Sequence, residues 1–92
     1  MKRCVKMLLN CGKQKDFLSS YVKEHAQANN LEGVAQRADT TQIAISVCGK
    51  SEAVDVFIDA IHEASAKYQL TDITLEPFFK MRDYRGVFRV IE

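Results

Sequence analysis

The stretch Gln42-Ile43-Ala44-Ile45-Ser46-Val47-Cys48 limits the fold more than any other part of the chain. Branched residues fall at every second position, and small or polar ones lie between them. Side chains of an extended strand point alternately to opposite faces, so this pattern builds a strand with one dry face and one that tolerates water. A helix of the same residues would scatter Ile43, Ile45 and Val47 around its circumference. A strand with one dry face needs an apolar layer to cover it, and the search for that layer organises the rest of the chain.

Two segments can supply it. Asp16 can cap a helix by accepting from the free amides of its first turn. Leu18, Tyr21, Val22, His25 and Asn29 then follow at helical steps, and Asn29-Asn30 ends the run. Gly49-Lys50 turns the chain after the central strand. Ser51 is expected to cap a second helix, with Glu52 in its first turn and Val54, Phe57, Ile58, Ile61, Ala64 and Tyr68 as its stripe. Residues 3–9 read as a first strand with Val5, Met7 and Leu9 inward. Residues 33–37 read as a short strand and 38–41 as a turn. Residues 70–76 read as a fourth strand, ended by Pro77, and 84–91 as a last one with Phe88 and Val90 on one side. The order strand-helix-strand-strand-helix-strand, plus a short final strand, describes an α+β ferredoxin-like two-layer sandwich. Each helix has a single apolar stripe, so both must cover one face of an antiparallel sheet. The other face carries Lys6, Ser46, Thr74 and Arg89.

Ninety-two residues are expected to make one domain with one modest core. A net charge of +1 creates no global field to attract nucleic acid or anionic lipid. Basic residues precede Met7-Leu8-Leu9, but Lys6 breaks an apolar run too short for a secretory h-region. The first residues are therefore read as a strand, and a cytoplasmic location is expected. Cys4, Cys11 and Cys48 are odd in number and lack metal-ligand spacing, which suggests neither a disulfide framework nor a zinc site. Cys4 and Cys48 project to the open face if the first and third strands pair. They are expected to be two reduced thiols, with a redox pair or a soft-metal pair as the alternative.

Cys11-Gly12-Lys13-Gln14-Lys15-Asp16-Phe17-Leu18-Ser19 and Gly33-Val34-Ala35-Gln36-Arg37 carry a family resemblance. They stand where acylphosphatases have G-x-V-Q-G-V-x-F-R and G-W-V-R-N. The blocks register without a gap through Tyr21, His25-Ala26, Leu31 and Gly33. The likeness runs on through Ile43-Ala44-Ile45, Gly49 and residues 53–58 to Phe88, so it covers nearly the whole chain. It implies the acylphosphatase form of the sandwich and an ancestry in hydrolysis of carboxyl-phosphate anhydrides. In that family an arginine ending the first motif clamps the phosphoryl oxygens, an asparagine in the second orients the attacking water, and backbone amides cradle the phosphate. Here the arginine position falls on Ser19, or on Ser20 if the register slides by one. The asparagine position falls on Arg37. Gln14 is retained, whereas Cys11 and Lys15 replace the two glycines.

These departures bear on chemistry. One well-placed arginine supplies roughly a thousandfold or more in phosphoryl transfer. A lysine in place of a cradle glycine restricts positive-φ geometry. The resemblance thus implies a divergent acylphosphatase-like domain without efficient acyl-phosphate hydrolysis, retaining weak phosphate or carboxylate binding at Gly12, Lys13, Gln14, Lys15, Asp16, Phe17, Leu18 and Ser19 beside Arg37. An arginine suits the task because its planar fork meets an anion bidentately. The bland alternative makes Arg37, Lys13 and Lys15 solvated loop residues. Two other readings stay open: an active acylphosphatase using relocated basic groups, and an interaction module working through the open face.

No cofactor or metal is implied. Ser19 has no base placed for it, since His25 lies nearly two turns on. His25 is read as a packing residue and His62 as a surface one. RNA binding is not expected, because Cys4, Lys6, Leu8, Ala44, Ser46 and Cys48 make a poor stacking platform. A monomer is expected, with a weak homodimer through the open face as the alternative. Phe78, Phe79, Met81 and Tyr84 are expected to close the core near the last turn.

Overall fold

The computed structural model describes residues 2–11, 17–39, 41–77 and 86–91, apart from the side chains of Leu18 and Ser19. The expected Asp16 cap, the Phe78–Phe79–Met81–Tyr84 cluster and the start of the last strand lie outside the described residues. The elements are strand β1 (Lys2–Asn10), a π-helical turn (Phe17–Val22), helix α1 (Lys23–Ala28), β2 (Glu32–Arg37), β3 (Gln42–Lys50), helix α2 (Ser51–Lys67), β4 (Thr71–Pro77) and β5 (Phe88–Ile91). They form a ferredoxin-like α+β sandwich, with the helices on one face of a five-stranded sheet ordered β4-β1-β3-β2-β5.

The register follows the apolar alternation. Val5 faces Val47, Met7 faces Ile45 and Leu9 faces Ile43 between β1 and β3. Ala35 faces Ile45 between β2 and β3. All these side chains are buried with Phe17, Val22, Val54, Phe57 and Ile61 in one core cluster. Gly33 is required where β2 passes β3. Its φ is +145°, and a Cβ there would lie 1.8 Å from the Ser46 carbonyl oxygen.

Three details differ from the sequence expectation. The sheet is mixed rather than wholly antiparallel, because β5 pairs parallel to β2. Strand β5 runs antiparallel to β4, as a hairpin partner would, but it lies at the opposite edge beside β2, which already has that sense. Second, Ser51 is the first helical residue of α2, not its cap. Lys50 holds the extended N-cap position without a side-chain hydrogen bond. Third, the first helical segment opens with a π turn. Its inward residues are Phe17 and Val22, five apart, and then Ala26 at the ordinary four. The wide turn therefore rotates the buried stripe away from the Tyr21–His25 line, and those two rings pack at its margin with centroids 4.3 Å apart. His25 is half-buried and His62 exposed, as expected.

Both helices stop without glycine, the first at Asn29-Asn30 as read from the sequence. Asn30 and Gln69 adopt left-handed φ of 57° and 55°. The amides of Leu31 and Leu70 then close back on the Ala26 and Ser65 carbonyls, satisfying groups the helix ends would otherwise leave open. Both leucines are buried, so apolar burial offsets the strain of a side chain at positive φ. On the edge strand β4, Asp72 is also left-handed, at φ 54°, where the β1 pairing slips between Leu8 and Asn10. Asn10 donates from its side-chain amide to the Asp72 carboxylate at 2.7 Å. Among the described residues no helix is long and apolar enough to cross a membrane.

Candidate functional site

Strand β1 ends at Asn10, directly opposite Gln42 at the start of β3. Cys11 is buried, and its amide donates to the Thr41 carbonyl at 2.7 Å. The chain thus leaves the sheet from a fixed point and returns at Phe17, whose side chain is fully buried. Phe17 lies against Tyr21 and Tyr68, with ring centroids 5.9 and 4.9 Å away. Both ends of residues 12–16 are therefore anchored to the core. Phe17 can offer a ligand only its backbone.

Arg37 closes β2 at the same end of the sheet. It pairs with Ile43, which belongs to the covered face, so register places Arg37 on the side that carries the π turn. It is half-buried. Sequence reasoning coupled Arg37 to the loop through a motif, and the register brings it to the loop's end of the fold. Of the other candidate residues, Gly12, Lys13, Gln14, Lys15 and Asp16 lie outside the described residues, as do the side chains of Leu18 and Ser19. Ser20 is exposed on the π turn. The next turn is set by Asp39, whose carboxylate accepts from the amides of Thr41 and Gln42 at 2.8 and 2.9 Å. Those two amides, with the Thr41 hydroxyl, hold its pKa below the ordinary carboxylate value.

The open face holds what sequence reasoning missed. Cys4 and Cys48 are joined by a disulfide, with Cα atoms 4.2 Å apart, so the expectation of two reduced thiols is not met. The pairing of β1 with β3 sets the two residues directly opposite each other, where Cβ atoms come within bonding range. Cys11 is buried and takes no part in the disulfide. Glu32 was not singled out either. It is only 8% exposed and accepts from the Gly86 amide at 2.9 Å. A buried carboxylate of this kind is legible only once β2 and β5 are known to be neighbours. Among the described residues no three His, Cys, Asp or Glu side chains gather as metal ligands.

Comparison with known proteins bears on the family and the fold. The sequence matches the model of the Acylphosphatase family over residues 14–89. A search of curated proteins finds no match. Among solved structures, the chain superimposes on an acylphosphatase from Bacillus subtilis with a TM-score of 0.82 at 18% identity, covering 100% of both chains. An acylphosphatase from Coxiella burnetii gives a TM-score of 0.81 at 18% identity, over 97% of this chain and 92% of that one. HypF from T. kodakarensis gives 0.73 at 19% identity, over all of this chain and 12% of that one. At these identities the superpositions establish the fold alone.

Proposed function

The chain belongs to the acylphosphatase family, and from that premise we propose that it is a divergent member that binds small phosphate or carboxylate anions without hydrolysing acyl phosphates efficiently. The observation that carries this reading is the position of Arg37. It ends β2 on the covered face, at the end of the sheet where residues 12–16 leave β1 and join the π turn. A guanidinium there supplies charge and a bidentate fork for an oxyanion. It also removes the neutral side-chain amide that would orient a water. With Ser19 or Ser20 in the clamping position, the second large contribution to phosphoryl transfer is absent as well. Binding survives this exchange because it needs charge and amides, whereas turnover needs a positioned nucleophile. The domain acts in the cytoplasm as a monomer.

The test uses inorganic phosphate and benzoyl phosphate. Phosphate at millimolar concentration is expected to shift the backbone amides of residues 12–19 and the Arg37 side-chain resonances, and Arg37→Ala is expected to abolish the shifts. Benzoyl phosphate is expected to decay no faster with the protein than with buffer. Rapid turnover lost in Arg37→Ala establishes the active reading with relocated basic groups. Undisturbed amides at 12–19 remove the anion site.

A further inference from the structure

The open face around the disulfide has a particular charge layout. Directly opposite pairs share a face, so Lys2–Lys50, Cys4–Cys48 and Lys6–Ser46 form three successive rungs between β1 and β3. Three ammonium groups thus border the sulfur pair, two on one side and one on the other. On β4, Glu76 faces Lys6. On β2, Glu32 faces Cys48. Two lysines directly opposite each other work against the sheet, since like charges in that relation repel. Their cost is offset when an anion settles between them.

The two sulfurs have unlike surroundings. Cys4 is half-buried, with Lys2 and Lys6 two residues to either side on its own strand and Lys50 diagonal to it. Cys48 is 1% exposed and pairs across the sheet with Glu32, whose side chain shares its face. An open cleft of about 440 Å³ adjoins it, bordered by Lys2, Lys50, Glu32 and Asn30. Cationic neighbours favour thiolate character at the reachable sulfur, and a carboxylate beside the enclosed one gives its proton a place to go. In the cytoplasm, the location proposed above on which this inference rests, disulfides are seldom permanent and are mostly exchanging ones.

We propose that Cys4 and Cys48 form a dithiol–disulfide exchange centre for disulfides of small anionic thiols, with Cys4 attacking and Cys48 resolving. In the oxidising direction the Cys4 thiolate attacks one sulfur of RSSR. The RS–SR bond breaks, RS⁻ leaves, and a Cys4–SR mixed disulfide forms. Cys48 then passes its proton to Glu32 and attacks the Cys4 sulfur. The Cys4–SR bond breaks, a second RS⁻ leaves, and Cys4–Cys48 closes; the two RS⁻ take up the proton Cys4 released on ionising and the one Glu32 received. The protein loses two electrons, and RSSR is reduced to two RSH. The lysines draw in the carboxylates of R, and the cleft beside Cys48 receives its bulk.

The decisive experiment uses the reduced full-length chain and three disulfides: oxidised glutathione (anionic), hydroxyethyl disulfide (neutral) and cystamine (cationic). Acid-quenched alkylation and mass spectrometry follow closure of Cys4–Cys48. Oxidised glutathione is expected to react at least tenfold faster than cystamine at low salt, with the rates converging as salt screens the lysines. In Cys48→Ser one glutathionyl group is expected to accumulate on Cys4. In Glu32→Gln, which keeps an acceptor for the Gly86 amide, the mixed disulfide is expected to form normally and resolve several-fold more slowly. Equal rates with all three reagents, which need no substituted protein, overturn the proposal. An adduct on Cys48 or Cys11 instead of Cys4 overturns it as well.

Discussion

The two faces of the sheet are held by different means. On the covered face Met7, Ile43, Ile45, Val47, Phe57 and Ile61 have no exposed surface, and the binding energy is spread over many small contacts. On the open face Lys6, Ser46 and Thr74 keep contact with solvent, and one covalent bond ties the central strands together. The contrast teaches that the covered face responds to changes of volume, whereas the open one responds to changes in solution conditions. Reductant, salt and anionic thiols act on the second and leave the first alone.

The sharpest way to break this contrast is to damage each face in turn. Phe57→Ala on the covered face is expected to cost about 3–5 kcal/mol in urea unfolding, equally with and without reductant. Reducing Cys4–Cys48 releases a loop whose ends are 44 residues apart and is expected to cost about 2–4 kcal/mol. If reduction proves more costly than Phe57→Ala in the same measurement, the open face is the chief support of the fold and the contrast fails.

A smaller effect sharpens the margin between the helices. The Tyr21 hydroxyl donates to the Ala60 carbonyl at 2.7 Å and ties the first helical segment to α2. Tyr21→Phe is expected to cost about 1 kcal/mol. Burial, then Glu63 and then Tyr68, raise the Tyr21 pKa. Its contribution is therefore complete below the ordinary tyrosine value and is lost as pH rises through the raised folded-state value. Tyr21→Phe should remove that alkaline component of unfolding. The smallest effect lies at Asp39, on the loop end. Its lowered pKa means stability present above the ordinary aspartate value and lost as pH falls through the lower folded-state value. A carboxyl titration by NMR is expected to show a depressed midpoint that returns to normal when Thr41 and Gln42 lose their hold in the unfolded chain.

The covered face was legible in the sequence almost residue by residue, because period-2 and period-3.6 patterns report burial directly. Val5, Met7, Leu9, Ile43, Ile45 and Val47 all fell inward as read, and so did Val54, Phe57, Ile58, Ile61 and Ala64 on α2. What stayed hidden depends on neighbours far apart in the chain or on backbone geometry that leaves no compositional mark. The parallel β2–β5 pairing needs knowledge of where a crossover lands. Left-handed Gln69 ends α2 with a residue that sequence reading does not reserve for that task, whereas the Asn29-Asn30 stop was read. The Cys4–Cys48 bond follows from a register that the sequence suggested, but spacing rules for cysteines pointed away from it. Of the site, the position of Arg37 was legible through the family motif, and the buried carboxylate of Glu32 was not.

The five-residue step from Phe17 to Val22 has a consequence for anyone who wishes to re-arm this protein. A coil that takes in one residue more than usual makes distance along the chain and distance in space disagree by one position. A guanidinium grafted by counting letters goes to Ser19, and one grafted by counting turns goes to Ser20. Successive positions of a helical coil face different directions, so the two grafts are not equivalent. Only the one aimed across the gap at Arg37's end of the strand can share an oxyanion with it. Comparing S19R with S20R for tightened phosphate binding therefore reads out, at the level of chemistry, which way that coil is wound.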